Sequence, residues 1–84
     1  MASRFTYAKY QRREVAPYRL RITSRDIGYF VSVIESYDGL GLVRTIDDRL
    51  GIVEAWVTAE RTGEFEELLR NLGRELSIEV ITRP

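Results

Sequence analysis

Cysteine and histidine are both missing from this 84-residue chain. The first absence excludes disulfides, thiolate metal sites and a cysteine nucleophile; the second excludes imidazole acid–base chemistry. Only carboxylate-type metal binding stays open. Lysine is nearly missing too: of the 13 basic residues only Lys9 is not arginine, which suits planar guanidinium pairing and equally a GC-rich genome. No apolar run approaches the roughly 18 residues of a membrane span, and no apolar signal segment opens the chain. These features predict a soluble, cytoplasmic protein with no membrane partner.

The length fits one small domain, one that buries roughly 60–65% of its unfolded surface. So small a core favours self-association, and a homodimer or higher homo-oligomer is expected. Hydrophobic residues make up 44% and charged residues 31%, a globular rather than a disordered balance. The 13 basic and 13 acidic residues cancel, but unevenly. Residues 1–17 hold Arg4, Lys9, Arg12 and Arg13 against Glu14, so the remainder, 18–84, is net acidic. A net acidic body is a poor polyanion binder, and nucleic acid is an unlikely partner.

Residues 1–17 read as an N-terminal basic and aromatic arm, with Phe5, Tyr7 and Tyr10, closed by Pro17. It is either a frayed end or a segment whose aromatics dock on a sheet edge or another subunit. The domain proper is 18–84. Tyr18–Thr23 alternates as a strand, with Tyr18, Leu20 and Ile22 on one face and Arg19 and Arg21 on the other. A helix follows, capped by Ser24, with Asp26 in its first turn and a core stripe of Ile27, Phe30, Val31 and Ile34. A second stripe, Tyr29, Val33 and Tyr37, widens the apolar face; the second helix or a subunit interface would cover it. Asp38-Gly39 ends this helix.

Leu42–Ile46 and Ile52–Val57 form a hairpin around Asp47-Asp48-Arg49-Leu50-Gly51, with Gly51 taking positive φ. The paired aspartates are better turn formers than cation ligands, so no metal is expected. Thr62 caps a second helix whose stripe is Phe65, Leu68, Leu69 and Leu72, whose Glu66 is spaced to pair with Arg70, and which Gly73 stops. Leu76–Thr82 is the last strand. The β-α-β-β-α-β order predicts an α+β, ferredoxin-like sandwich: a four-stranded antiparallel sheet in the order 4-1-3-2, with two helices on one face. Trp56 and Ile81 fall on the open face, where something should cover a tryptophan. With Tyr29 and Tyr37 they are the candidate interface residues.

The strand-to-helix turn at Ser24, Arg25, Asp26 and Gly28 is the most suggestive place for a ligand. Backbone N–H groups at a helix start suit a small anionic metabolite, Arg25 could clamp it, and Gly28 would let it approach. The plainer alternative is that Ser24 is a cap and Gly28 relieves crowding. No cofactor is implied, and no enzyme.

Arg25-Asp26-Ile27-Gly28 resembles the Asp-x-Pro-Gly turn of the ACT domains, small regulatory modules of the same element order. Gly39-Leu40-Gly41-Leu42 is similar to their Gly-x-Asn-Ile, and Val43-Arg44-Thr45 to Gly51-Ile52-Val53 to their hairpin. The resemblance covers residues 18–82. It implies dimers, edge to edge or face to face, with a small effector at the interface near Gly28 and a contact at Gly41. Arg25, Ile27 and Gly41 depart from the family's Asp, Pro and Asn. SRDIGYF, LVRTID and GIVEAWV together resemble a bacterial family of stand-alone ACT-like domains. An RNA-binding domain of the RRM type shares the topology and is the alternative expectation, though the aromatic run such a domain needs is not in the central strands. An acylphosphatase-like enzyme shares it too, but needs an asparagine on the hairpin; the sole asparagine is Asn71.

Overall fold

A computed structural model describes residues 15–84. The aromatic arm expected over 1–17 lies mostly outside the described residues. Strand β1 spans Val15–Ile22, and after a 3-10 turn, Ser24–Asp26, comes helix α1, Ile27–Glu35. Strands β2, Gly41–Asp47, and β3, Ile52–Thr58, form the hairpin. A second 3-10 turn, Ala59–Arg61, leads into helix α2, Thr62–Leu72, and strand β4, Ile78–Thr82, completes the sheet. The strand order is β2-β3-β1-β4 and every neighbouring pair is antiparallel. This is the expected ferredoxin-like α+β sheet, read from its other edge.

Alternation does most of the folding. Tyr18, Leu20 and Ile22 of β1 and Val53, Ala55 and Val57 of β3 turn to one face, and all are buried there with Ile27, Phe30 and Ile34 of α1 and Phe65, Leu69 and Leu72 of α2. At roughly 1.5–3 kcal/mol for each large aliphatic or aromatic side chain, this one cluster supplies the driving force for folding. β1 begins three residues before the expected Tyr18, and Pro17 sits inside it rather than closing an arm. A proline is tolerated there because β4 pairs only with Arg19–Ile22, so one side of β1 is an edge at Pro17.

Both expected caps are corrected. Ser24 makes no capping bond and lies in the 3-10 turn, and Thr62 is the first residue of α2, which is preceded by Arg61. In each case a 3-10 turn tightens the strand-to-helix junction and takes over the role of a cap. The two junctions match: Thr23-Ser24-Arg25-Asp26-Ile27-Gly28-Tyr29-Phe30 aligns with Thr58-Ala59-Glu60-Arg61-Thr62-Gly63-Glu64-Phe65. Thr23 and Thr58 have nearly the same backbone angles (φ −52° and −55°), and Phe30 and Phe65 are both fully buried. The same offset relates Ile46 of β2 to Ile81 of β4, and each of these is the extra residue of a bulge on an edge strand. The chain is two successive β-α-β units of matching layout.

The bulge at Ile81 inverts the phase of the strand end. Thr82 pairs with Arg19 on the open face, which sends Arg83 to the helix side. There Arg83 grips Glu66 through Nε at 2.8 Å and Nη2 at 3.2 Å, while the Tyr18 hydroxyl donates to the same carboxylate at 3.0 Å. Glu66 is therefore taken by the residue that follows β4 rather than by Arg70, the partner its helical spacing predicts.

Gly51 is required by contact as well as by φ. At φ 74° its Cβ would lie 1.9 Å from the Ile22 carbonyl oxygen. Gly51→Ala is expected to lower the unfolding free energy by roughly 3 kcal/mol in urea titrations, whereas Gly63→Ala, with nothing within 4 Å of its Cβ, should be neutral or stabilising by up to about 1 kcal/mol.

The Glu66 cluster predicts a pH signature. The Arg83 hydrogen bond, chiefly, holds the Glu66 carboxyl below the usual carboxylate range. Burial, then the bond to Glu66, pushes Tyr18 up to about 12. The Glu66 contribution to stability is thus complete above the unfolded carboxylate range and is lost as pH falls through its folded value; that of Tyr18 is complete below the ordinary tyrosine range and is lost as pH rises towards 12. Arg83→Gln should be less stable than wild type at about pH 7, and the gap should narrow as pH falls through the lowered titration range of Glu66.

Candidate functional site

The end of the sheet where β1 runs into α1 is also where the β2–β3 hairpin turns back. The Ile22 amide donates to the Gly51 carbonyl at 2.7 Å, and the Ser24 hydroxyl donates to the Asp48 carbonyl. The hairpin is shaped from within by Asp47, whose carboxylate Oδ1 accepts the Leu50 amide at 3.1 Å. That is the turn-forming role expected of this aspartate.

Three segments then enclose a cleft of about 280 Å³: Arg21, Thr23 and Ser24 at the end of β1, Arg49 and Leu50 on the hairpin, and Ser77 and Glu79 at β4. Among the described residues neither Arg21 nor Arg49 makes an ion pair. Glu79 is the cross-strand neighbour of Arg21 and moderates the positive field without closing a bridge. Two guanidiniums, with hydroxyls beside them, can hold a carboxylate or a phosphate by forked, charge-assisted hydrogen bonds. Of the three hydroxyl residues that line the cleft, Thr23, Ser24 and Ser77, Ser24 donates its hydroxyl proton to a carbonyl.

Of the residues singled out in the sequence, Ser24 lines this cleft and Arg25, Asp26 and Gly28 do not. Arg25 and Gly28 are exposed one turn further on, and nothing in the chain lies within 4 Å of a Cβ placed on Gly28. Gly41 lies at the other end of the sheet. It pairs with Val57, and a Cβ there would approach the Trp56 carbonyl oxygen to 2.9 Å, so its glycine serves strand packing. At about 3.4 Å per residue along β3, that end is about 17 Å from the Ile52 end beside Ser24. One small ligand cannot touch both within a single chain. Arg49 and Ser77 went unnoticed in the sequence because nothing local marks them. The available signal was topological: in this element order the first strand-to-helix turn and the hairpin must share one end of the sheet.

The candidate interface residues fall on two surfaces. Trp56 stands on the face away from the helices, in a row with Leu42 and Pro17, and its Nε1 donates to Glu54 at 3.0 Å. The other Glu54 oxygen meets Arg19 at 3.2 Å. Ile81 shares that face and is exposed, as are Tyr29 and Tyr37 on the helix side. The Tyr29 hydroxyl is 3.5 Å from Glu75, and Tyr37 borders a small cleft against Glu64, Glu67 and Leu68 of α2. Among the described residues no helix is long and apolar enough to cross a membrane.

Ser24→Ala should lower the urea midpoint by the equivalent of about 1 kcal/mol and speed amide exchange at Gly51, because the hydroxyl bond joins the two loops that form the cleft.

In comparisons with known proteins, the family model described as a domain of unknown function, DUF4911, matches residues 20–76. No curated protein and no solved structure matches.

Proposed function

We propose that this chain, which belongs to the DUF4911 family, is a non-enzymatic, ACT-like regulatory module that binds a small anion in the Arg21–Arg49 cleft and acts as a homodimer. The observation that carries the reading is the pair of arginines without ion pairs among the described residues, brought to one cleft from β1 and the hairpin together with Ser24 and Ser77. Unsatisfied guanidiniums at the mouth of a shaped cleft favour a compact anion over bulk water, and the neighbouring Glu79 limits that anion to low charge.

Self-association is supported by exposed apolar area and by the positions of the glycines. Tyr29, Tyr37 and Ile81 are 50%, 41% and 40% exposed, apolar area that a second copy could cover. β2 is an edge strand. Antiparallel pairing of β2 with β2 of a second copy sets the Gly41 end of one strand beside the hairpin end of the other. Gly41 and a Ser24 cleft, which are apart within a protomer, would meet across such a dimer, as the ACT resemblance implies.

The RNA-binding reading has less support. Bases stack on aromatics of both central strands; here β1 offers Pro17, Arg19 and Arg21 on the open face, and Trp56 on β3 is hydrogen-bonded to Glu54.

The test is thermal unfolding with inorganic phosphate and with a panel of small carboxylates, at about 10 mM each. By mass action, ligand at 100 times its Kd adds about 2.7 kcal/mol, or a rise of several degrees in Tm. Wild type and Arg25→Ala should show the rise, and Arg21→Ala/Arg49→Ala should lose it. An equal rise in the double variant, or none in wild type, overturns the anion site; a monomer in sedimentation at tens of micromolar overturns the dimer.

A further inference from the structure

A second surface has a different chemistry. Between α2 and β4 runs a groove of about 520 Å³ whose walls come from those two elements and the residues that follow each of them. Its floor is apolar: Leu69 from the helix, and Ile78 and Val80 from β4. Unlike Leu20 and Val53 on the central strands, Ile78 and Val80 are only half buried, because no element covers the outer side of the edge strand.

The rim is basic. Arg70 and Arg74 stand one turn apart on the helix side, and among the described residues neither makes an ion pair. The one acid in the groove, Glu66, is already taken by Arg83 and the Tyr18 hydroxyl. The Ile81 bulge is what makes this so: by turning Arg83 to the helix side it gives Glu66 another hydrogen-bond partner and leaves Arg70 without a direct ion pair to its helical neighbour. The groove therefore presents two guanidiniums that make no ion pair among the described residues, above a strip of half-buried aliphatic carbon, alongside the outer edge of a strand.

We infer that this groove receives an extended acidic segment of a partner protein, lying along the outer edge of β4. Charge complementarity identifies the occupant as acidic, the half-buried aliphatics call for apolar side chains between the acids, and the free strand edge calls for an extended backbone that can pair with it. Regular pairing is confined to Ile78–Val80, since the bulge follows. The occupant is therefore short, with an apolar residue over the floor and carboxylates on either side to reach Arg70 and Arg74. The inference is independent of the Arg21–Arg49 cleft.

The probe is a fluorescein-labelled Glu-Glu-Val-Val-Glu-Glu peptide, which shows acid-apolar-acid on both faces of a strand, with Lys-Lys-Val-Val-Lys-Lys as its counterpart. Fluorescence anisotropy at low salt should show saturable binding of the acidic peptide to the full chain, and amide shifts should map to Ile78–Val80. Arg70→Glu/Arg74→Glu should weaken binding by roughly tenfold or more and acquire affinity for the lysine peptide, the change expected from losing one or two charge-assisted contacts. Arg70→Gln/Arg74→Gln, which removes charge without reversing it, should lose the acidic peptide and not gain the other. Unchanged binding in these variants, loss of binding in Arg21→Ala/Arg49→Ala instead, or amide shifts that avoid β4 would each overturn the proposal.

Discussion

Leu20, Val53 and Val57 are completely shielded from water because Phe30 and Phe65 are buried with them, each carried by its own helix two residues after a glycine. Burial of this one face is the constraint on which the rest of the structure depends. It requires both helices on the same side, it requires each strand-to-helix junction to turn sharply, and it leaves the reverse of the sheet to be settled by other means. That reverse side is organised in rows across the strands. Leu42, Trp56 and Pro17 form one row, and Arg44, Glu54 and Arg19 the next. Glu54, between two arginines and bonded to Trp56 as well as to Arg19, keeps an otherwise like-charged row from repelling itself.

The two ends of the sheet are fastened differently. At one end the hairpin is tied to β1 by the Ile22–Gly51 bond and by Ser24. At the other, Thr58 donates through its hydroxyl to the Gly39 carbonyl at 2.7 Å, and Arg61 reaches the Asp38 carbonyl through Nη1 at 2.7 Å while gripping Glu64 through Nε and Nη2, each at 2.9 Å. Gly39 has φ 75°, but the helix already ends at Glu35 with Ser36 as its cap, so this left-handed glycine turns the loop into β2 instead of ending the helix as the sequence predicts. The Arg21–Arg49 cleft forms at the hairpin end.

Period-two alternation and i, i+3, i+4 spacing made the strands, the helices and nearly all of the core legible in the sequence, because burial on one face writes itself directly into the order of residues. Local chemistry was a poorer guide. Ser24 and Thr62 have the composition of caps, yet the 3-10 turns that precede the helices move both out of register for that role. The spacing of Glu66 and Arg70 describes a helix in isolation, and tertiary structure overrode it through Arg83, whose direction depends on a bulge that no periodicity reports. The candidate site was half legible: Ser24 was in view, while Arg21, Arg49 and Ser77 come together only when strands distant in sequence close on one another. The internal duplication was visible all along as Thr-x4-Gly-x-Phe, a period that shows once the two halves are set side by side.

Ile46 and Ile81 kink the two outermost strands at matching positions. An unbroken, flat border on either flank would let copies add to one another without end, in the manner of amyloid. With each border interrupted after only a few residues, neither flank is a continuous template for growth into fibres.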